Sequence, residues 1–200
     1  MSQDESIIIS PDTLRQQRLP PSQSRTVKWP VLDASGPPEL SGVQWSFSAG
    51  GFVKHPMQWN WSEFQALPRV KVLADFHCVT RWSQLDNLWE GVSTREIASR
   101  LEILPAARFA LVRAYDGDWT TNMPLEAFLA EDALLADTRN GAPLTIEHGA
   151  PLRLIIPRLY AWKSAKWIRA VEFLAEDEAG FWEQAGYHMI GDPWKEERFR

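Results

Sequence analysis

Apolar residues in this chain recur with the period of a strand, and that period constrains its fold more than any other feature. Val43, Trp45 and Phe47 alternate with Gln44, Ser46 and Ser48, and Met57, Trp59 and Trp61 repeat the alternation. Such spacing sets one row of side chains on one face of a half-buried strand. Residues 70–76, 109–115, 152–156 and 171–174 read as further strands. Helical signals are short. Ser62-Glu63-Phe64-Gln65 has capping-box spacing and opens a turn ending before Pro68, while Ser93-Thr94-Arg95-Glu96 opens a helix carrying Ile97, Leu101 and Leu104 ahead of Pro105. Residues 124–137 are expected to form a helix. Strands with short helices inserted between them define the α+β class, with mixed, mainly antiparallel sheets.

Residues 1–41 are of another kind, rich in Pro, Ser and Gln, and Pro20-Pro21, Pro30 and Pro37-Pro38 bar a helix or an inner strand there. They are expected to wrap, as an arm anchored by Trp29 and Leu32, around a domain of residues 42–200. Residues 181–200, with Trp182, Tyr187, Trp194 and Phe199 among glycines and charges, read as an irregular wrap. At 200 residues and 44% hydrophobic content the chain can bury one substantial core.

Several function classes fall away. The net charge of −5 argues against nucleic acid, whose phosphates demand a basic face. No stretch approaches the roughly 20 apolar residues of a membrane span, and the opening MSQDESIIIS has neither the charge nor the apolar core of a secretory signal. A soluble, cytoplasmic monomer is the expectation.

The lone cysteine, Cys78, lies in "ADFHCVTRWS" at the end of an expected strand, where scaffolds present reactive groups. As a free thiol it could be a small buried apolar residue. As a nucleophile it needs a base; adjacent His77 points to the opposite strand face, which leaves His148 or His188. A zinc site would need further ligands at recognisable spacing, and the four histidines are scattered. A metal whose remaining ligands come with a cofactor needs one protein thiolate alone. A second feature is the stretch from His148 to Val171, where Arg153, Arg158, Lys163, Lys166 and Arg169 occur without an acidic residue. Interleaved with Leu, Ile, Tyr and Trp, some of these charges must lie near the core, where a cation needs a partner such as a phosphate. Eleven tryptophans supply core, and Trp82 and Trp162 could wall a dry pocket.

Taken together, "DFHCVTRWS", "TTNMPLE", "EHGAPLRLIIPRLYAWKSAKW" and "GYHMIGDPWKEERF" resemble the molybdopterin-binding domain of the sulfite oxidase family. The likeness is to its small single-domain bacterial members and, more distantly, to the catalytic subunit of periplasmic methionine sulfoxide reductase. It implies that Cys78 ligates molybdenum, the pterin dithiolene supplying the other soft ligands. It also implies that His148 and Arg153 of the H-G-A-P-x-R motif contact the pterin. Lys163, Ser164, Ala165 and Lys166 of the K-S-x-K motif would hold the cofactor phosphate, and His77, Thr80 and Arg81 would line the pocket. The implied activity is molybdenum-cofactor-dependent oxygen-atom transfer to or from a small substrate such as a sulfoxide, an N-oxide or sulfite. A carrier of the cofactor without turnover is the alternative. With no CxxC or haem motif, electrons would pass through a separate carrier. The segment after Cys78, Val79-Thr80-Arg81-Trp82, departs from the arginine-rich segment of sulfite oxidases, and Thr80 stands where the sulfoxide reductase has an acidic residue. The resemblance therefore transfers neither substrate, and it assigns no role to His55 or His188.

Overall fold

The computed structural model describes residues 6–40 and 44–200, so Val43 of the expected alternation and the expected boundary at residues 41 and 42 lie outside the described residues. The chain begins with β1 (Ile7–Ile9), β2 (Ser24–Arg25), β3 (Ser46–Gly51), β4 (Met57–Asn60), α1 (Trp61–Gln65), β5 (Val70–His77), β6 (Trp82–Ser93) and α2 (Thr94–Leu101). It continues with β7 (Phe109–Ala114), β8 (Thr120–Pro124), α3 (Leu125–Phe128), β9 (Leu134–Arg139), β10 (Ala142–Pro143), β11 (Arg153–Ile155), β12 (Ile168–Leu174) and α4 (Phe181–Gln184). One sheet has the order β1-β5-β6-β9-β10, with β11 also on β9 and β2 also on β6; the other has the order β4-β3-β12-β7-β8. β1 with β5, β2 with β6 and β3 with β12 are parallel pairs. The remaining pairs are antiparallel, and the expected mixed, mainly antiparallel class is the one observed.

The alternating residues explain the layering. Phe47 and Ala49 on β3, Ala110 and Val112 on β7, and Val171 and Phe173 on β12 share one core with Val92 of β6, Leu135 of β9 and Leu154 of β11, as two sheets packed face to face require. The other side of the first sheet has its own core of Val72, Ala74 and Phe76 on β5, Trp89, Leu134, Ala136 and Ile155, against which Ile8 and Trp29 pack. A strand buried on both faces shows no alternation.

That is why the expected helix over 124–137 is wrong beyond its first turn. α3 ends after Phe128, and Leu134-Leu135-Ala136 open β9, paired with β6 on one side and β11 on the other. Leu and Ala favour a helix locally, and two ladders of backbone bonds override them. Thr94 Oγ1 donates to the carbonyls of Phe128 and Ala133, closing the connection between them. The first capping box also lies earlier than expected. Asn60 is the cap, accepting from the Glu63 N–H at 3.0 Å while Glu63 accepts from the Asn60 N–H at 2.8 Å, so Trp61 begins α1 instead of extending β4. β6, at 12 residues, escapes pattern reading: Gln84, Asp86 and Asn87 interrupt its apolar rows, and its register with β5 shifts between Ala74 and Phe76, a bulge. Among the described residues no helix is long and apolar enough to cross a membrane.

Candidate functional site

Cys78 begins the turn that joins β5 to β6. Its N–H donates to the Trp82 carbonyl at 2.8 Å and its carbonyl accepts from the Arg81 N–H at 3.0 Å, with Arg81 at φ +72° closing the turn. The thiol is buried, 7% exposed, and Thr80 Oγ1 donates to Sγ at 3.2 Å. Burial pushes the thiol pKa up, opposed by the Thr80 hydroxyl, the Thr80 and Val79 backbone groups and the charge of Arg198. Arg198 donates to the Val79 carbonyl and Gln23 to the Cys78 carbonyl, so tail and arm both brace this turn.

The second part of the site is the H-G-A-P-x-R stretch. Gly149 sits at φ +107°, and a Cβ there would lie 3.0–3.1 Å from Arg153 and Lys166; a side chain would push these two cationic residues apart. Arg153 opens β11 with its guanidinium buried, donating to the His148 carbonyl at 2.8 Å and the Ser164 carbonyl at 3.0 Å, while its Nε meets no acceptor. It has no carboxylate partner among the described residues, and burial together with the charge of Arg139 brings its pKa down to about 9, still charged at neutral pH. Lys166 donates to the Glu147 carbonyl at 2.7 Å and faces Asp33 at 3.3 Å; burial and the charge of Arg153 lower its pKa. His148 stacks on Trp29 at 3.8 Å, donates to the Trp29 carbonyl through Nε2 and accepts from Thr145 through Nδ1.

These groups surround one cavity of about 240 Å³, whose walls include Cys78, Thr80, His148, Arg153, Ser164, Ala165 and Lys166. Seven of the ten residues expected from the sequence thus meet. The other three do not line it. His77 is fully buried behind the turn, bonded to Ser83 Oγ at 2.8 Å, and burial depresses its pKa to about 4. Arg81 is spent on the turn geometry and lies off the walls. Lys163 is a correction of substance: its ammonium is fully buried and its donors go to the Asn122 carbonyl and Oδ1, the Met189 carbonyl and Glu183 at 2.6 Å, leaving none for a phosphate.

Sequence reading expected Trp29 and Leu32 as anchors of the arm but not as cavity wall, and it gave the other arm and tail residues of the wall no role there. Trp29, Pro30, Leu32, Asp33 and Ala34 enter from the arm, Tyr187 from the tail, and Asp116 and Trp119 from between β7 and β8. For Trp29, Trp119 and Tyr187 the sequence signal is the density of aromatics; the others carry none. Neither His148 nor His188 bonds the thiol: His188 Nδ1 accepts from the Ile190 and Gly191 N–H groups, so the cysteine–histidine pair that a hydrolase needs is not assembled. No group of three or more His, Cys, Asp or Glu among the described residues is placed to hold a metal. What the donor set fits is a thiophilic metal with most ligands of its own, next to an anionic group: one soft sulfur, and a buried cation lacking a counter-ion.

Over residues 34–182 the chain matches the family described as the oxidoreductase molybdopterin binding domain, and it belongs to that family. Fold, molybdopterin cofactor and oxidoreductase class are therefore those the sequence resemblance implied. Among particular relatives, it is 47% identical over 183 residues to the uncharacterized oxidoreductase YuiH of Bacillus subtilis, covering 91% of this chain and 92% of that protein. It is 25% identical over 153 residues to the putative protein-methionine-sulfoxide reductase subunit YedZ1 of Azospira oryzae, covering 76% of this chain and 58% of that one. The sulfane dehydrogenase SoxCD from Paracoccus pantotrophus shares the fold, with a TM-score of 0.61 at 20% identity over 66% of this chain and 38% of that chain.

Proposed function

We propose that the cavity holds the molybdenum cofactor with its metal at Cys78, and that the protein transfers an oxygen atom to or from a small substrate. The observation that carries this reading is the meeting, in one cavity, of a lone buried thiol with a buried, unneutralised Arg153. The bound cofactor supplies the two-electron redox chemistry and the metal's other sulfur ligands. The chain's own residues do the rest. Cys78 ligates as the thiolate, and Thr80 donates to its sulfur. Arg153 and Lys166 neutralise and orient the phosphate, and Ser164 and Ala165 belong to the same wall. His148, fixed by Trp29 and Thr145, borders the pterin. Lys163 belongs to the frame and not to the cradle. Electrons come from or go to a separate electron-transfer protein.

Metal and pterin analysis of protein made in a host that produces the cofactor, followed by redox titration, tests the reading. Near-stoichiometric molybdenum and pterin with a reversible spectral change on reduction are expected. Well-folded protein free of molybdenum overturns it. Molybdenum that is bound but does not cycle marks a carrier.

A further inference from the structure

The family match stops at residue 182, yet Tyr187 lines the same cavity as Cys78. Resting on the assignment of Cys78 as the metal ligand, we propose that Trp162, Trp182 and Tyr187 form the binding surface for the apolar body of an uncharged substrate, and that Glu183 and Gly191 hold this surface in place.

The three rings are contiguous. Tyr187 meets Trp162 edge to face at 5.2 Å and lies tilted against Trp182 at 5.0 Å, and all three belong to the cavity wall. Trp162 is fixed from three sides. Tyr160 stacks on it at 5.3 Å, its Nε1 donates to Glu183 Oε1 at 2.8 Å, and Gly191, at φ +83°, lies so close that a Cβ would come within 2.7 Å of the indole. Glu183 is itself immobilised by Lys163 and Thr121. With its polar edge spent, Trp162 offers the cavity apolar surface alone.

Charge points the same way. The two cations in the wall, Arg153 and Lys166, are the ones that take the cofactor phosphate, and Arg153 is further held by two carbonyls and Lys166 by Asp33 and the Glu147 carbonyl. Arg198 is the cation whose charge bears on the thiol. It lies outside the wall, donating to the Val79 and Pro21 carbonyls through its terminal nitrogens, with its guanidinium over Tyr160. Asp33 and Asp116 add negative charge to the cavity. With Arg153 and Lys166 committed to the cofactor phosphate, an oxyanion beside Cys78 would find no further Arg or Lys in the wall, whereas a neutral sulfoxide or N-oxide would lay its alkyl or aryl body on the aromatic wall.

The test is calorimetric titration of cofactor-loaded protein of measured molybdenum content with two unreactive probes, methyl phenyl sulfone and inorganic sulfate. Saturable binding of the sulfone and none of sulfate is expected. Tyr187→Ala should weaken sulfone binding about tenfold at unchanged molybdenum content, and Tyr187→Phe should restore it. If Tyr187→Ala does not fold, Trp182→Leu supplies the same comparison. Sulfate binding as tight as that of the sulfone, or sulfone affinity indifferent to loss of either ring, overturns the proposal while leaving the cofactor reading intact. Folded protein without molybdenum overturns both.

Discussion

A thiol as enclosed as Cys78 is held protonated by its surroundings, because burial opposes the thiolate more than Thr80, Val79 and Arg198 favour it. A metal cation reverses that balance, since a coordinated thiol loses its proton outright. Cys78→Ser should therefore leave the melting temperature of the cofactor-free protein nearly unchanged. Its activity should fall by more than the roughly 10–100-fold that loss of an outer partner costs, measured as turnover per chain. Arg153 behaves in the opposite sense. Arg153→Met strips the His148 and Ser164 carbonyls of a donor, but it also removes a buried cation that Arg139 repels. The two effects offset, so the cofactor-free variant should melt within about 1 kcal/mol of the parent while molybdenum content drops about tenfold or more. Residues of this kind were legible in the sequence because each lies in a short motif whose neighbours constrain it. Lys163 was misjudged because its partners, Asn122, Glu183 and Met189, are distant in the chain, and a charge pattern carries no record of such pairings.

The same limit operates on whole elements. Strands with one solvated side, such as β3 and β4, announced themselves by alternation; β9 and β6 did not, because the first is apolar on both faces and the second is broken by a bulge. β9 is also where a long-range ion pair fastens the sheet to the segment ahead of β5. Arg69 donates twice to Asp137, at 2.6 and 2.7 Å, and Gln65 adds a third bond. Burial pushes the Asp137 carboxyl up, but these donors more than offset it, so its pKa lies below the ordinary 3.8. A carboxylate depressed in the folded state contributes stability that is full above its unfolded pKa and is lost as pH falls through the folded one. Arg69→Ala should cost about 1–3 kcal/mol at neutral pH. In thermal melts the gap between variant and parent should narrow as pH drops below about 4; a gap constant down to pH 2 would show that the pair contributes through packing and not charge.

At the scale of the molecule, the site is a junction of segments far apart in sequence. The arm supplies Trp29 and Asp33, the β5–β6 turn supplies Cys78, β11 supplies Arg153, and the tail supplies Tyr187 and the Arg198 brace. A ligand seated there ties arm, core and tail into one cooperative unit, because the folded state alone presents these groups together. Binding to the folded state adds RT ln(1 + [L]/Kd), about 4 kcal/mol when free ligand exceeds Kd a thousandfold. At roughly 2–4 °C per kcal/mol for a chain of this size, cofactor-loaded protein should melt about 8–16 °C above protein made in a host unable to synthesise the cofactor. Limited proteolysis should divide along the same lines. Cleavage within residues 29–36 and 187–200 should slow on loading, while β3, β7 and β12, which do not border the cavity, keep their protection in both forms. Protection confined to the β5–β6 turn would mean that arm and tail merely rest against the core, and that cofactor binding does not depend on them.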